Sequence, residues 1–380
     1  MSFIRSSKAF IKVIGINFAI FVILLVSPSI IFRLYIQFKP KFFRLINQTV
    51  DKRAYYPTYE DSEFSIQLLN EFDKLPSIYR SFIGWRREKV NFRYTTISGP
   101  YNVRKSKGES INNSAWFFGG STMWGTGTSD NQTIPSHFNI LTNFPVYNFG
   151  ESGWDSRQSL NQLINAIGDN HYPSKVVFYD GANDVYTQCR REFKLLPAHS
   201  REIHIQNVLK RPPLQKRFSN FIISPYISIA DKLNLKLPNW NQVNYKTHDC
   251  DTNQTKALLI AKHLVNNWRT AYILSKSYDF EFYGILQPTL FTTKTNSEYF
   301  PSKIVNENSQ AEVQYNTVYP LIIKEIARTC ESDKNFCASI VNATDWLDGM
   351  NNIFIDWAHI NSLGNQEIAQ RLKFLLKNGD

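Results

Sequence analysis

At 380 residues the chain is long enough for one large domain or two modest ones with a sizeable core. Aromatic residues make up 14% and charged residues 20%, with no internal repeats or low-complexity tracts, so most of the chain folds and repeat arrays are excluded. The net charge of +11 raises the question of nucleic acid, but no DNA- or RNA-binding motif accompanies it; anionic lipid or an acidic glycan explains it more simply.

In chain order, Val13 to Phe32 carries no charge and is mostly Ile, Val, Leu and Phe, with Asn17, Ser27, Pro28 and Ser29 as interruptions. Twenty residues at helical rise span roughly 30 Å, the thickness of a bilayer core, so residues 1–35 are expected to form an uncleaved single-pass anchor. A cleaved signal peptide is the rival reading, but no Ala-x-Ala-like site follows. Basic residues flank both ends (Arg5, Lys8 and Lys12; Arg33, Lys39, Lys41 and Arg44), so charge does not choose an orientation. Residues 36–110 read as a stalk that becomes a cover, with a helix near Ser62 to Phe72 and one or two edge strands between Phe92 and Val103.

From residue 111 to 380 strands and helices alternate. Ala115 to Phe118, Val146-Tyr147, Lys175 to Tyr179 and Glu281 to Leu286 read as strands. Helices are expected near Thr133 to Leu141, Ser156 to Ile167, Thr255 to Ser277, Val313 to Thr329 and Ser362 to Leu376. That spacing argues for βαβ units and a parallel sheet, hence an α/β fold. An insertion at about 185–253 interrupts it: Tyr186 to Arg217 holds eight Lys or Arg against Glu192 and Glu202, and Phe218 to Ile229 is largely apolar. It reads either as a solvated basic face or as a lid meeting an acidic polymer or a membrane surface. The four cysteines lean towards an oxidising compartment: Cys330 and Cys337 flank a short polar loop, and Cys189 and Cys250 lie at the ends of the insertion. Free buried thiols are the alternative.

Four segments carry chemistry. Trp116-Phe117-Phe118-Gly119-Gly120-Ser121 places a serine where a buried strand turns towards a helix start, the position at which open α/β sheets bind ligands. Asn148-Phe149-Gly150-Glu151-Ser152-Gly153 follows the second strand, and the third ends in Gly181-Ala182-Asn183-Asp184. Near the C-terminus, Asp356-Trp357-Ala358-His359 sets a carboxylate three residues before a histidine. In this order the four blocks resemble the SGNH/GDSL hydrolase superfamily, over roughly Asn112 to Lys377. The resemblance implies a three-layer α/β/α domain with a central parallel sheet, flavodoxin-like in plan. It departs from the family where Gly120 stands in place of the aspartate of Gly-Asp-Ser, so no substrate preference is carried over from that subfamily.

The resemblance and the residue chemistry agree on roles. Ser121 is the expected nucleophile, His359 its general base, and Asp356 the group that fixes the histidine tautomer. The expected oxyanion hole comprises the N–H of Ser121, the N–H of Gly153 and the amide of Asn183, with Gly150 as runner-up glycine. Asp184 reads as structural. No cofactor or metal is required, and His199 and His204, five residues apart, are poorly placed for one helical face. With the apolar run and the basic insertion, the resemblance implies a membrane-anchored serine esterase acting outside the cytoplasm on acyl esters of a surface glycan, O-acetyl groups above all. The alternatives are acyl transfer to a polysaccharide by the same residues, and a non-catalytic glycan-binding or assembly protein.

Overall fold

The computed structural model describes residues 12–24, 26–27, 30–31, 34, 50–191, 248–295 and 309–377. The chain divides into two compact units, residues 1–49 with 205–244, and residues 50–204 with 245–380. In the first unit residues 12–24 are helical with exposed apolar side chains. Among the described residues no helix is long and apolar enough to cross a membrane; the span expected at 13–32 lies partly outside those residues. Most of the basic insertion, residues 192–247, also lies outside them.

The second unit is built on a five-stranded parallel sheet. The chain reaches it through α1 (Ser62–Lys74), the hairpin β1 (Ser77–Arg80) and β2 (Gly84–Arg87), and a small antiparallel sheet of β3 (Val90–Asn91), β4 (Thr96–Ser98) and β5 (Val103–Arg104). Then follow β6 (Ala115–Gly119), α2 (Ser121–Trp124), α3 (Ile134–Thr142), β7 (Val146–Asn148), α4 (Ser156–Gly168), β8 (Lys175–Asp180) and α5 (Ala182–Gln188). After the insertion come α6 (Gln254–Tyr278), β9 (Glu281–Leu286), α7 (Ser309–Ser332), β10 (Ile340–Asn342) and α8 (Ser362–Lys377). Strand order is β10-β9-β8-β6-β7. Counted along the chain this is the 2-1-3-4-5 order, in which connections leave in opposite directions from β6 and β8 and open a crevice at their carboxyl ends.

Period-two alternation sorts the strand residues into two cores. Trp116, Phe118, Val176, Phe178 and Phe282 pack on α4, α6 and α7 through Leu160, Leu163, Ile260, Leu264, Trp268 and Tyr315. Ala115, Phe117, Val177, Tyr179, Tyr283 and Ile285 pack on α3 and α8 through Ile134, Phe138, Ile368 and Leu372. The result is a three-layer α/β/α arrangement. The helix starts carry their own signals: Asp61 accepts from Glu63 N and Phe64 N, and Asp155 forms a capping box with Gln158. The strand-like Ile353 to Ile355 joins no sheet; Phe354 makes an isolated antiparallel bridge with Ile360.

From residue 50 on, the stretch expected as a stalk that becomes a cover belongs to the same compact unit as the sheet. The physical reason lies in the hairpin, which sends buried charge into the block after β7. Arg86, 1% exposed, donates to Phe149 O (2.9 Å) and Gly150 O (3.1 Å) and lies 4.1 Å from the Trp154 ring centroid. Its nearest carboxylate is Glu151, at 3.9 Å and also fully buried. Burial pushes the guanidinium down to about 10 despite that neighbour. Burial likewise raises the Glu151 carboxyl, against the charges of Arg86 and Arg87 and backbone N–H groups of Arg87 and Ser152. Trp85 Nε1 donates to Ser152 O (3.0 Å), and Trp154 Nε1 returns a bond to Trp85 O (3.2 Å).

Removing Arg86 leaves the Phe149 and Gly150 carbonyls without their donor and empties the space beside the Trp154 ring. Arg86→Ala is therefore expected to destabilise the fold by about 2–5 kcal/mol, read as a lowered midpoint in urea unfolding. A change below about 1 kcal/mol would show that the hairpin is not part of the folded unit.

Candidate active site

Gly119 ends β6 with φ 152°, and a Cβ there would lie 2.5 Å from the Tyr179 carbonyl oxygen on β8. Only glycine permits this approach of the two strand ends. Gly120 then caps the four-residue helix α2, whose first residue is Ser121. At Gly120 a Cβ would fall 2.1 Å from Asn183 Nδ2. The Asn183 amide thus fills the space beside Gly120 that a Cβ would enter.

Ser121 Oγ lies 2.6 Å from His359 Nε2. His359 Nδ1 lies 2.8 Å from Asp356 Oδ1 and 2.7 Å from Oδ2. The loop carrying both residues is folded on itself: Ile355 N donates to His359 O (2.8 Å), and Asp356 Oδ1 accepts from His359 N (2.9 Å) and Ala358 N (3.1 Å). Thr122 fastens this loop to the serine turn by donating to Ala358 O (3.1 Å) while accepting from Gln287 Nε2 (2.8 Å) at the end of β9. Burial alone would raise the Asp356 carboxyl. The charge and hydrogen bonds of His359, together with the Arg53 guanidinium, outweigh it and hold the group well below the usual carboxylate range.

These groups open on a cavity of about 310 Å³ whose lining includes Ser121, Gly153, Asn183 and His359. Asn183 Nδ2 donates to Trp154 O (2.8 Å) from the first turn of α5, and a primary amide has a second hydrogen to offer. Gly153, in a left-handed conformation (φ 81°), lines the cavity. Gly150 does not: it packs against the backbone of Met123 and Trp124, and its N–H donates to Asn148 Oδ1 (3.0 Å). Ser121, Gly153, Asn183 and His359 therefore meet at one cavity, Asp356 stands behind the His359 ring, and the runner-up glycine sits in the core.

Asp184 points away from the cavity and ties the third block to α4. Its carboxylate accepts from Gly181 N (3.2 Å), Ser156 N (3.2 Å) and Ser156 Oγ (2.5 Å), and Asn267 Nδ2 donates to that hydroxyl (2.8 Å). Burial and the nearby Asp155 charge push Asp184 up to about 7, against the bonds from Ser156 and Gly181. Burial, then the charge of Asp184, also raises Asp180, which Trp268 Nε1 and Ser159 Oγ hydrogen-bond.

The lining also includes Trp85 and Arg87 from the hairpin and Gln287, which have no signature in the sequence, with Tyr186 and Arg190 from the start of the basic insertion and Trp357 from the Asp356–His359 block. The described ends of the insertion are joined, since Arg190 pairs with His248 in an isolated bridge and Cys189 is disulfide-bonded to Cys250. Cys330 and Cys337 form a second disulfide. Among the described residues no three His, Cys, Asp or Glu side chains are grouped to hold a metal ion.

No family model matches the chain, and no curated protein matches it in sequence. Solved structures similar to it include a carbohydrate acetylesterase family member from Sinorhizobium meliloti, 11% identical, TM-score 0.35, covering 70% of this chain and 98% of that one. An acetyl xylan esterase, AlAXEase, is 12% identical with TM-score 0.34 over 68% of this chain and 97% of its own. A member of the lipolytic G-D-S-L family from Veillonella parvula is 10% identical with TM-score 0.32, covering 70% and 98%. Likeness at these values carries no argument about activity, for which the geometry of the site is the ground.

A carboxyl whose folded-state value is raised keeps a proton that the unfolded chain has already released, here between about pH 4 and about 7. The stability linked to that proton is lost as pH rises through this window. Wild type is therefore expected to lose stability relative to Asp184→Asn as pH goes from 4.5 to 7.5 in paired urea titrations. A difference that does not change with pH would contradict the buried, protonated carboxyl.

Proposed function

We propose that the chain is a serine esterase of SGNH type that cleaves acyl esters of a glycan, O-acetyl groups above all. The observation that carries this reading is the hydrogen-bonded line Ser121–His359–Asp356 at the mouth of a cavity that also holds Asn183 and Gly153. His359 Nε2 takes the Ser121 proton as Oγ attacks the ester carbonyl, and Asp356 accepts the hydrogen bond from Nδ1–H and stabilises the imidazolium. The second Asn183 amide hydrogen, with the N–H groups of Ser121 and Gly153, is assigned to the oxygen on which negative charge develops. His359 then protonates the leaving alcohol, and water, activated by the same imidazole, releases the acid from the acyl-enzyme.

The cavity supports the substrate class. A volume of about 310 Å³ sits at the small end of ligand sites, room for a short acyl group and part of a sugar. Trp85, Tyr186 and Trp357 offer apolar ring faces, while Arg87 and Arg190 favour an anionic glycan. On this reading the enzyme acts outside the cytoplasm, held by the apolar run at 13–32. Two disulfides support an oxidising compartment.

Purified protein is expected to release p-nitrophenol from p-nitrophenyl acetate and acetate from an O-acetylated polysaccharide. Ser121→Ala should abolish turnover, and Asn183→Ala should lower kcat by about 10²–10³. An added oligosaccharide acceptor separates hydrolysis from acyl transfer. Wild type that binds glycan without releasing acyl groups would overturn the esterase reading.

A further inference from the structure

We propose that Arg53, contributed by the segment before α1, is a positioning residue for the catalytic acid. Its guanidinium holds Asp356 ionised and oriented towards His359. The inference deepens the esterase reading and rests on it.

The geometry is specific to the carboxylate. Arg53 Nη1 donates to Asp356 Oδ2 at 2.8 Å, the same oxygen that lies 2.7 Å from His359 Nδ1. Asp356 Oδ1 is held by the backbone N–H groups of its own loop. Each oxygen thus has a partner besides the imidazole, and the carboxylate plane cannot turn away from Nδ1 without breaking one of these bonds. Arg53 is itself braced on its other edge: Nε lies 3.2 and 3.1 Å from the two Asp51 oxygens, and Nη2 donates to Oδ2 at 2.7 Å. Asp51 is fixed in turn as the cap of the Lys52–Tyr55 turn, accepting from Arg53 N at 2.9 Å. A planar fork with fixed donors suits this bridging of two carboxylates; a lysine ammonium supplies the charge without the plane.

The charged and titratable groups facing Asp356 are His359 on its own loop and Arg53, Asp51, Tyr56 and Tyr59 from the preceding segment. Among them Arg53 and a protonated His359 compete for one negative charge. Loss of Arg53 therefore has two separable effects. The carboxylate gains freedom, which lowers kcat, and the imidazolium loses a nearby cation, which moves the acid limb of the pH profile upward. A contact that only stabilises the fold would do neither per folded molecule.

The test compares wild type, Arg53→Gln, Arg53→Lys and Asp51→Asn in the pH dependence of p-nitrophenyl acetate hydrolysis, with the pH titration of the His359 ring resonances followed by ¹⁵N-histidine NMR. Arg53→Gln is expected to lower kcat roughly 10- to 100-fold with little change in KM. Its acid limb and ring-resonance midpoint should rise by about half a pH unit or more. Arg53→Lys should return the limb towards wild type while recovering only part of kcat. Folded Arg53→Gln with unchanged kcat overturns the proposal, and so does a lowered kcat with an unmoved limb and midpoint. If Arg53→Gln fails to fold, Arg53→Lys and Asp51→Asn are decisive: reduced kcat in both supports the proposal, and wild-type kcat in both overturns it. If wild type shows no turnover, the esterase reading fails by itself; the NMR midpoint still decides whether Arg53 acts on the His359–Asp356 pair.

Discussion

The site depends on how closely the carboxyl ends of β6 and β8 approach one another. Gly119 lets the first strand end run against the Tyr179 carbonyl, and Gly120 leaves room for the Asn183 amide within 2.1 Å of where its own Cβ would stand. A Cβ at 119 would meet the Tyr179 backbone, and one at 120 would displace the Asn183 amide from its present place. Parallel strand order does the rest: oppositely directed connections from β6 and β8 keep the crevice between them open. The Ser121 hydroxyl and the Asn183 amide then meet at one cavity without any long loop having to be ordered, which reduces the entropic cost of assembling the site.

A second layer of the design is electrostatic, and it comes from the residues ahead of the sheet. Arg53 reaches Asp356, and Arg86 and Arg87 reach the block that carries Gly153 through Glu151. Arg86 and Glu151 are costly to bury, and their desolvation is offset by carbonyls, backbone N–H groups and the Trp154 face rather than by close ion pairing. Asp184 and Asp180 behave differently, for burial keeps them inclined to hold protons while hydroxyl and indole donors from α4 and α6 fasten them. The charge that the chemistry needs at Asp356 is kept ionised, whereas charge that only braces the sheet is reduced.

Much of this was readable from local pattern. Lys175 to Asp180 is a run buried on both faces, the form a central parallel strand must take, and α1 and α4 announce themselves by Asp61 and Asp155. The four chemical blocks were visible because each sits at a strand end or a loop of fixed spacing. The hairpin at 77–87 was not, since it inverts the usual pattern: Phe82 is 82% exposed with φ 65° while Arg86 is 1% exposed. β10 has only three residues and leans on β9 for its definition. Arg53 was beyond any local reading, because its partner lies 303 residues away and nothing near either residue marks the other.

The central claim is that the Ser121 hydroxyl is activated by His359 in a site shaped for acyl transfer. Its most direct test is covalent: incubate the protein with an alkyl fluorophosphonate, which reacts with activated serine hydroxyls, and map the adduct by peptide mass spectrometry. One phosphonyl group per chain is expected, on Ser121, formed far more slowly when His359 is replaced by alanine. Failure to react, or modification of another serine with Ser121 left intact, would contradict the claim.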